Sequence, residues 1–318
     1  MSGDEDTDEI LLSRRNLFRL LGGTIVLGTL VSTIDEEPPD FSSEESELQN
    51  LAQTIDSTDL RDPQKNSMLQ SSIATTIESV NSSLSEKEID PTGKTPSSTP
   101  SVGAGNINQA LDYYQELQQT LDEGESLSGK IESREIATLN GEYFNGQSNQ
   151  ERHLPNVESS ISKFSKTVAT HTPSEQPPST QKLLPDRDRV SSRLSRQRTV
   201  YKKHADMQEL FLKVIFSLNS GIDAFEHSSF DSAGRSFQRA NNKASVQIDD
   251  SLKDYRVTSY SLTLGNYSQI FKLYRQAAGN MAAACAEGMS REERNQKIDL
   301  GIRRQLKARS VFADRGPF

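Results

Sequence analysis

Tryptophan is absent from this 318-residue chain, cysteine occurs once and histidine four times. A single cysteine, Cys285, excludes an internal disulfide and any cysteine-cluster metal site. It ends an apolar series and reads as a small buried hydrophobe rather than an intermolecular link. Of the histidines, His153, His171, His204 and His227, only His227 has a carboxylate, Asp223, four residues before it on one helix face. One imidazole and one carboxylate make at most a partial ligand set. No glycine-rich phosphate loop and no Gly-x-Ser-x-Gly nucleophile turn occurs. No catalytic, metal or cofactor-binding residue is therefore assigned, and the chain is expected not to be an enzyme. Apolar residues are also scarce, at 33% with a mean hydropathy of -0.67, so part of the chain is expected to stay outside a packed core.

Basic residues are few in the first part of the chain and plentiful in the second. Residues 1–181 hold 12 Lys and Arg against 30 Asp and Glu, whereas residues 182–318 hold 24 against 15. The two balances, -18 and +9, make up the whole-chain -9. Either these are solvated faces of ordinary helices, or the halves attract each other, or the basic half meets an anionic partner.

Near the N-terminus stand Ser13, Arg14, Arg15, Leu17 and Phe18, followed by fifteen residues without a charge, Leu20 to Ile34. Paired arginines abutting an uncharged stretch resemble the twin-arginine export signal. That resemblance implies the twin-arginine translocase as a partner, folding before transport, and a place on the extracytoplasmic face of the membrane. No Ala-x-Ala cleavage site follows, and the segment is short of the roughly 20 residues that span a bilayer. Either a poor site is cut and the protein is secreted, or residues 1–34 remain as an anchor. The acidic leader Asp4, Glu5, Asp6, Asp8 and Glu9 resembles those of proteins from salt-loving prokaryotes.

Beyond the signal the apolar spacing is helical. Leu69, Ile73, Ile77, Val80 and Leu84 step by 4, 4, 3, 4, and Tyr260, Leu264, Tyr267, Phe271, Tyr274, Ala278, Met281 and Cys285 alternate 4 and 3. No sustained period-two pattern occurs, so the fold class is all-α. Ile270, Leu273 and Ala277 widen the second stripe beyond a dimeric coiled-coil seam, which places that helix in a bundle. Residues 35–103 read as an acidic, Ser-rich stalk with short helices, and residues 104–171 as a helical segment. Residues 172–185 read as a Pro-rich linker, and residues 186–318 as a helical domain expected to fold alone. Helix starts are expected near Asp186 and at Ser290, where Glu293 completes a capping box.

Within that last domain Gly221, Phe230, Ala233, Phe237 and Ala240 fall at the intervals of one tetratricopeptide repeat, over residues 214–247. The match is to a single hairpin, and the resemblance implies a peptide- or protein-binding scaffold. Arg189, Arg193, Arg196 and Lys203 line one side of a helix. They read as a solvated face or as a surface for an anionic partner: lipid head groups, an acidic polymer or the acidic half of this chain. Export argues against nucleic acid. The expected function is a non-enzymatic scaffold or binding module of the cell envelope that holds an unidentified protein or anionic surface component. The alternative is an exported enzyme or solute- or cofactor-binding protein.

Overall fold

The computed structural model describes residues 40–58, 63–87, 103–139, 157–171 and 177–313. The described segments all belong to one compact unit beginning at Asp40. The twin-arginine segment and residues 88–102 lie outside the described residues.

The fold is all-α, with no strand among the described residues. In chain order the helices are α1 (Ser42–Ser57), α2 (Pro63–Glu86), α3 (Ala104–Leu139), α4 (Glu158–Thr170) and the single turn α5 (Pro178–Gln181). They are followed by α6 (Arg187–Glu226), α7 (Phe230–Lys243), a 3-10 turn at Asp250–Leu252, α8 (Leu264–Ala284) and α9 (Arg291–Ala313). Polar side chains set several of these starts. The Asp186 carboxylate accepts the Arg189 N–H at 3.0 Å. Thr263 and Asn266 form a reciprocal box at α8, and Ser290 with Glu293 does the same at α9. Each cap satisfies N–H groups that the first helical turn leaves open.

Two apolar cores are strung along α6. The first gathers Leu48 and Ile55 of α1, Ile73 and Val80 of α2, Tyr114 of α3, Phe164 of α4, and Val190 and Leu194 of α6. The second gathers Phe211 and Leu218 of α6, Ala233 and Phe237 of α7, and Phe271 and Tyr274 of α8. Burying one such large side chain stabilises the fold by about 1.5–3 kcal/mol, as an upper estimate. At 40 residues, α6 is about 60 Å long. It supplies Ala205 to the first core and Met207 to the second.

That arrangement differs from the sequence expectation in four places. The acidic region expected as a stalk with short helices instead packs its helices α1 and α2 into the core, where they bury Leu48, Ile55, Ile73 and Val80, because helical spacing gives each an apolar stripe despite low apolar content. The Pro-rich stretch is docked from residue 177 onward: Leu183 and Leu184 are buried. The Tyr114 hydroxyl donates to the Leu183 carbonyl at 2.6 Å. Prolines lower the entropy lost on ordering such a segment. The third difference is Tyr260, which lies outside α8 and is 74% exposed. Cys285, expected to be buried, is half-buried at the C-terminal end of α8. Its Sγ lies 3.5 Å from the Met281 carbonyl.

Candidate functional site

The basic side of α6 turns towards the protein's own backbone. Arg193 donates to the Ile55 and Asp56 carbonyls, both at 3.0 Å, and Arg189 to Asp56 O at 3.3 Å. These carbonyls lie in the last turn of α1, where a helix leaves acceptors open and positive charge is favoured. Arg196 donates to Ser251 O at 3.1 Å and stacks over the Tyr255 ring at 5.1 Å. Lys203 is half-buried. Arg189 and Arg193 thus tie the basic half to the acidic half of the chain, through carbonyl dipoles rather than through carboxylates.

The residues matched to the repeat meet in the hairpin of α6 and α7. A Cβ placed on Gly221 would lie 2.5 Å from two ring atoms of Phe237, so the helices approach as closely as glycine allows. Ala233, Phe237 and Ala240 are fully buried. Phe230 meets the Phe225 ring edge-on at 5.3 Å and carries the Arg294 guanidinium over its face at 4.2 Å. α8 packs on α7, and α9 on α8. The outer side of α9 leaves Leu300, Ile302 and Leu306 exposed beside Arg303, Arg304 and Lys307.

Glu135 of α3 is buried where the two cores meet. Its Oε1 accepts the Leu262 N–H at 2.8 Å and its Oε2 the Tyr267 hydroxyl at 2.9 Å. The buried His204 ring faces Tyr267 edge-on at 5.6 Å. Nothing in the local sequence marks Glu135, since its partners lie more than 120 residues away.

A cleft of about 280 Å³ opens between the start of α2, the middle of α3, the first half of α6 and the loop at residues 258–260. Leu121 is its only aliphatic lining residue, beside the Tyr201 and Tyr260 rings, and among the described residues the wall carries no Lys or Arg. α3 contributes Glu125, Ser128 and Glu132, which fall on one face at spacings of three and four. α6 contributes Gln197 and Tyr201, one turn apart, with Gln197 Nε2 donating to the Tyr201 hydroxyl at 2.7 Å. Burial pushes the Tyr201 hydroxyl up to about 12, so it stays protonated at neutral pH. Sequence reading missed this cleft because its polar residues come from four separated segments.

His171 is buried, with Nε2 2.9 Å from Thr120 Oγ1, and burial lowers its pKa. His227 and Asp223 are both exposed, 3.6 Å apart. The Asp223 backbone carbonyl and then its carboxylate raise the His227 pKa. His153 lies outside the described residues. Among the described residues, no three His, Cys, Asp or Glu side chains gather as a metal site requires, and no helix is long and apolar enough to cross a membrane. Compared with known proteins, the chain matches no family model, no curated protein and no solved structure.

Proposed function

We propose that the chain is a non-enzymatic, helix-rich module of the cell envelope, exported by the twin-arginine route, that holds a protein or anionic surface component through its C-terminal helices. The observation that carries the binding reading is the outer side of α9, where exposed Leu300, Ile302 and Leu306 are interleaved with Arg303, Arg304 and Lys307. Exposed apolar groups among charges that are basic except for Asp299 suit an acidic partner with its own apolar contacts. The Arg189–Lys203 face suits this role less well, because a partner there would compete with bonds to Ile55, Asp56 and Ser251.

Two experiments test this reading. Changing Arg14 and Arg15 together to Lys keeps the charge but loses the paired guanidinium geometry; the protein is expected to accumulate inside the cell, and unaltered export refutes the signal assignment. Changing Arg303 and Arg304 to Glu is expected to abolish recovery of the envelope partner that the wild-type chain retains. Recovery of the same partner by both chains removes α9 from the reading.

A second reading, a solute-binding protein folded before transport, is favoured by the polar cleft between α2, α3 and α6. Under that reading the cleft holds the solute and α9 only positions the protein.

A further inference from the structure

We propose that the cleft between α2, α3 and α6 is a binding site for an uncharged, polyhydroxylated ligand, a saccharide or a polyol. The inference rests on the solute-binding reading and names the chemistry of its ligand.

Two amide side chains in the wall have unmet hydrogen-bonding capacity. Gln70 is only 9% exposed and lines the cleft, yet its side chain has no hydrogen-bond partner among the described residues. Gln197 uses Nε2 on Tyr201, while its Oε1 is buried with no partner among the described residues. The Gln70 amide is therefore paired only by what enters the cleft, water or a ligand, and Gln197 Oε1 is an acceptor whose lack of a partner is costly. An amide needs both a donor and an acceptor opposite it. A hydroxyl is both, an ammonium only donates and a carboxylate only accepts.

Charge narrows the class further. Glu125 and Glu132 line the cleft with no cationic residue among the described lining residues to offset them. An anionic ligand is repelled, whereas the two carboxylates accept hydrogen bonds from hydroxyls. The lining also includes Tyr260, 74% exposed, an aromatic side chain of the kind that packs on the C–H side of a sugar ring. The volume, about 280 Å³, is at the lower end of small-ligand pockets, roughly 300–1,000 Å³, and suits one sugar ring or a short saccharide. The chief competitor is a polyamine drawn by Glu125 and Glu132, but it would leave the Gln70 N–H donors unmet, Gln197 Nε2 being already held by Tyr201.

The test applies the purified full chain to an array of neutral and acidic saccharides, and titrates glycerol and spermidine into it calorimetrically. At least one neutral saccharide or glycerol is expected to bind, and acidic saccharides are not. Gln70→Met and Gln197→Met, which keep side-chain length, are each expected to weaken binding about tenfold, as loss of one buried hydrogen bond does. Tyr260→Ala, at an exposed position, is expected to weaken it as well, and it keeps the test valid if a Met variant misfolds. Displacement by free monosaccharide identifies a dissolved solute as the source. Binding that only an immobilised oligosaccharide supports identifies a surface glycan. Binding that all three variants leave unchanged places the ligand elsewhere and overturns the inference. Spermidine binding without saccharide or glycerol binding also overturns it and leaves the solute-binding reading standing. If nothing binds, both fall.

Discussion

At Gly221 the crossing of α6 and α7 leaves no space for a methyl group, since the Phe237 ring lies 2.5 Å from where it would sit. Gly221→Ala is therefore expected to force the helices apart and destabilise by about 1–3 kcal/mol. Gly279, inside α8, has nothing within 4 Å of the same position. There the change to Ala is expected to stabilise by about 0.5–1 kcal/mol through helix propensity alone. Urea melts of the two variants check the contrast; equal and neutral effects would mean that the hairpin is not closely packed. His171 allows a second prediction at this scale. Its burial, with Arg187 nearby, holds its pKa below the ordinary 6.5, so the folded protein takes up a proton less readily than the unfolded chain. The stability this contributes is complete above the unfolded value and is lost as the pH falls through the folded one. The melting temperature is expected to drop between about pH 7 and pH 5, and His171→Gln is expected to flatten that slope. A slope unchanged in the variant would assign the acid sensitivity to other groups.

Among the elements, α1 depends most visibly on residues distant in sequence. Carbonyls of its last turn, Ile55 O and Asp56 O, are held by Arg193 of α6, and near its start Glu44 pairs with Lys87 just past α2. Arg193→Met is expected to cost roughly 1–2 kcal/mol, as loss of two hydrogen bonds from a charged donor to neutral acceptors does. Amide hydrogen exchange should rise in the last turn of α1 and remain unchanged in α8; a uniform rise would indicate global loosening instead. The helices themselves were legible from spacing. Leu264, Tyr267, Phe271, Tyr274, Ala278 and Met281 are all buried, as are Ile270, Leu273 and Ala277, which widen the stripe. Tyr260 fitted the same period and is exposed, because Thr263 caps the helix after it. Periodicity registers a residue's phase but not the cap that ends the helix.

At the scale of the whole molecule, the two cores share α6 and meet at Glu135, so they are expected to unfold in one transition. Glu135→Ala removes the acceptor for both Leu262 N–H and the Tyr267 hydroxyl, each a buried group whose loss of a partner costs about 1–3 kcal/mol. Its calorimetric melt should shift down by several degrees, which follows from about 1 kcal/mol per few degrees in a protein this size. A chain beginning at residue 186 would expose Val190, Leu194, Val200 and Tyr201, which pack into the first core. It is expected to bind hydrophobic dye and melt without cooperativity, contrary to the independent domain that the prolines before it suggested. A sharp transition in that fragment would show that the second core stands alone.

The sequence by itself determined the all-α class, the phase of the apolar stripes, the caps at Asp186 and Ser290, and the glycine–aromatic pair of the α6–α7 hairpin. All of these rest on contacts within one helix or between neighbouring helices, where spacing dictates which side chains meet. Tertiary structure alone decided that Arg189 and Arg193 close the end of α1, that Leu183 and Leu184 draw the Pro-rich stretch inward, and that Glu135 joins the cores. It also brought four separate segments together around one polar cleft. These contacts bring together residues tens to more than a hundred positions apart, and no local period records which polar side chains will share a wall once the helices have packed.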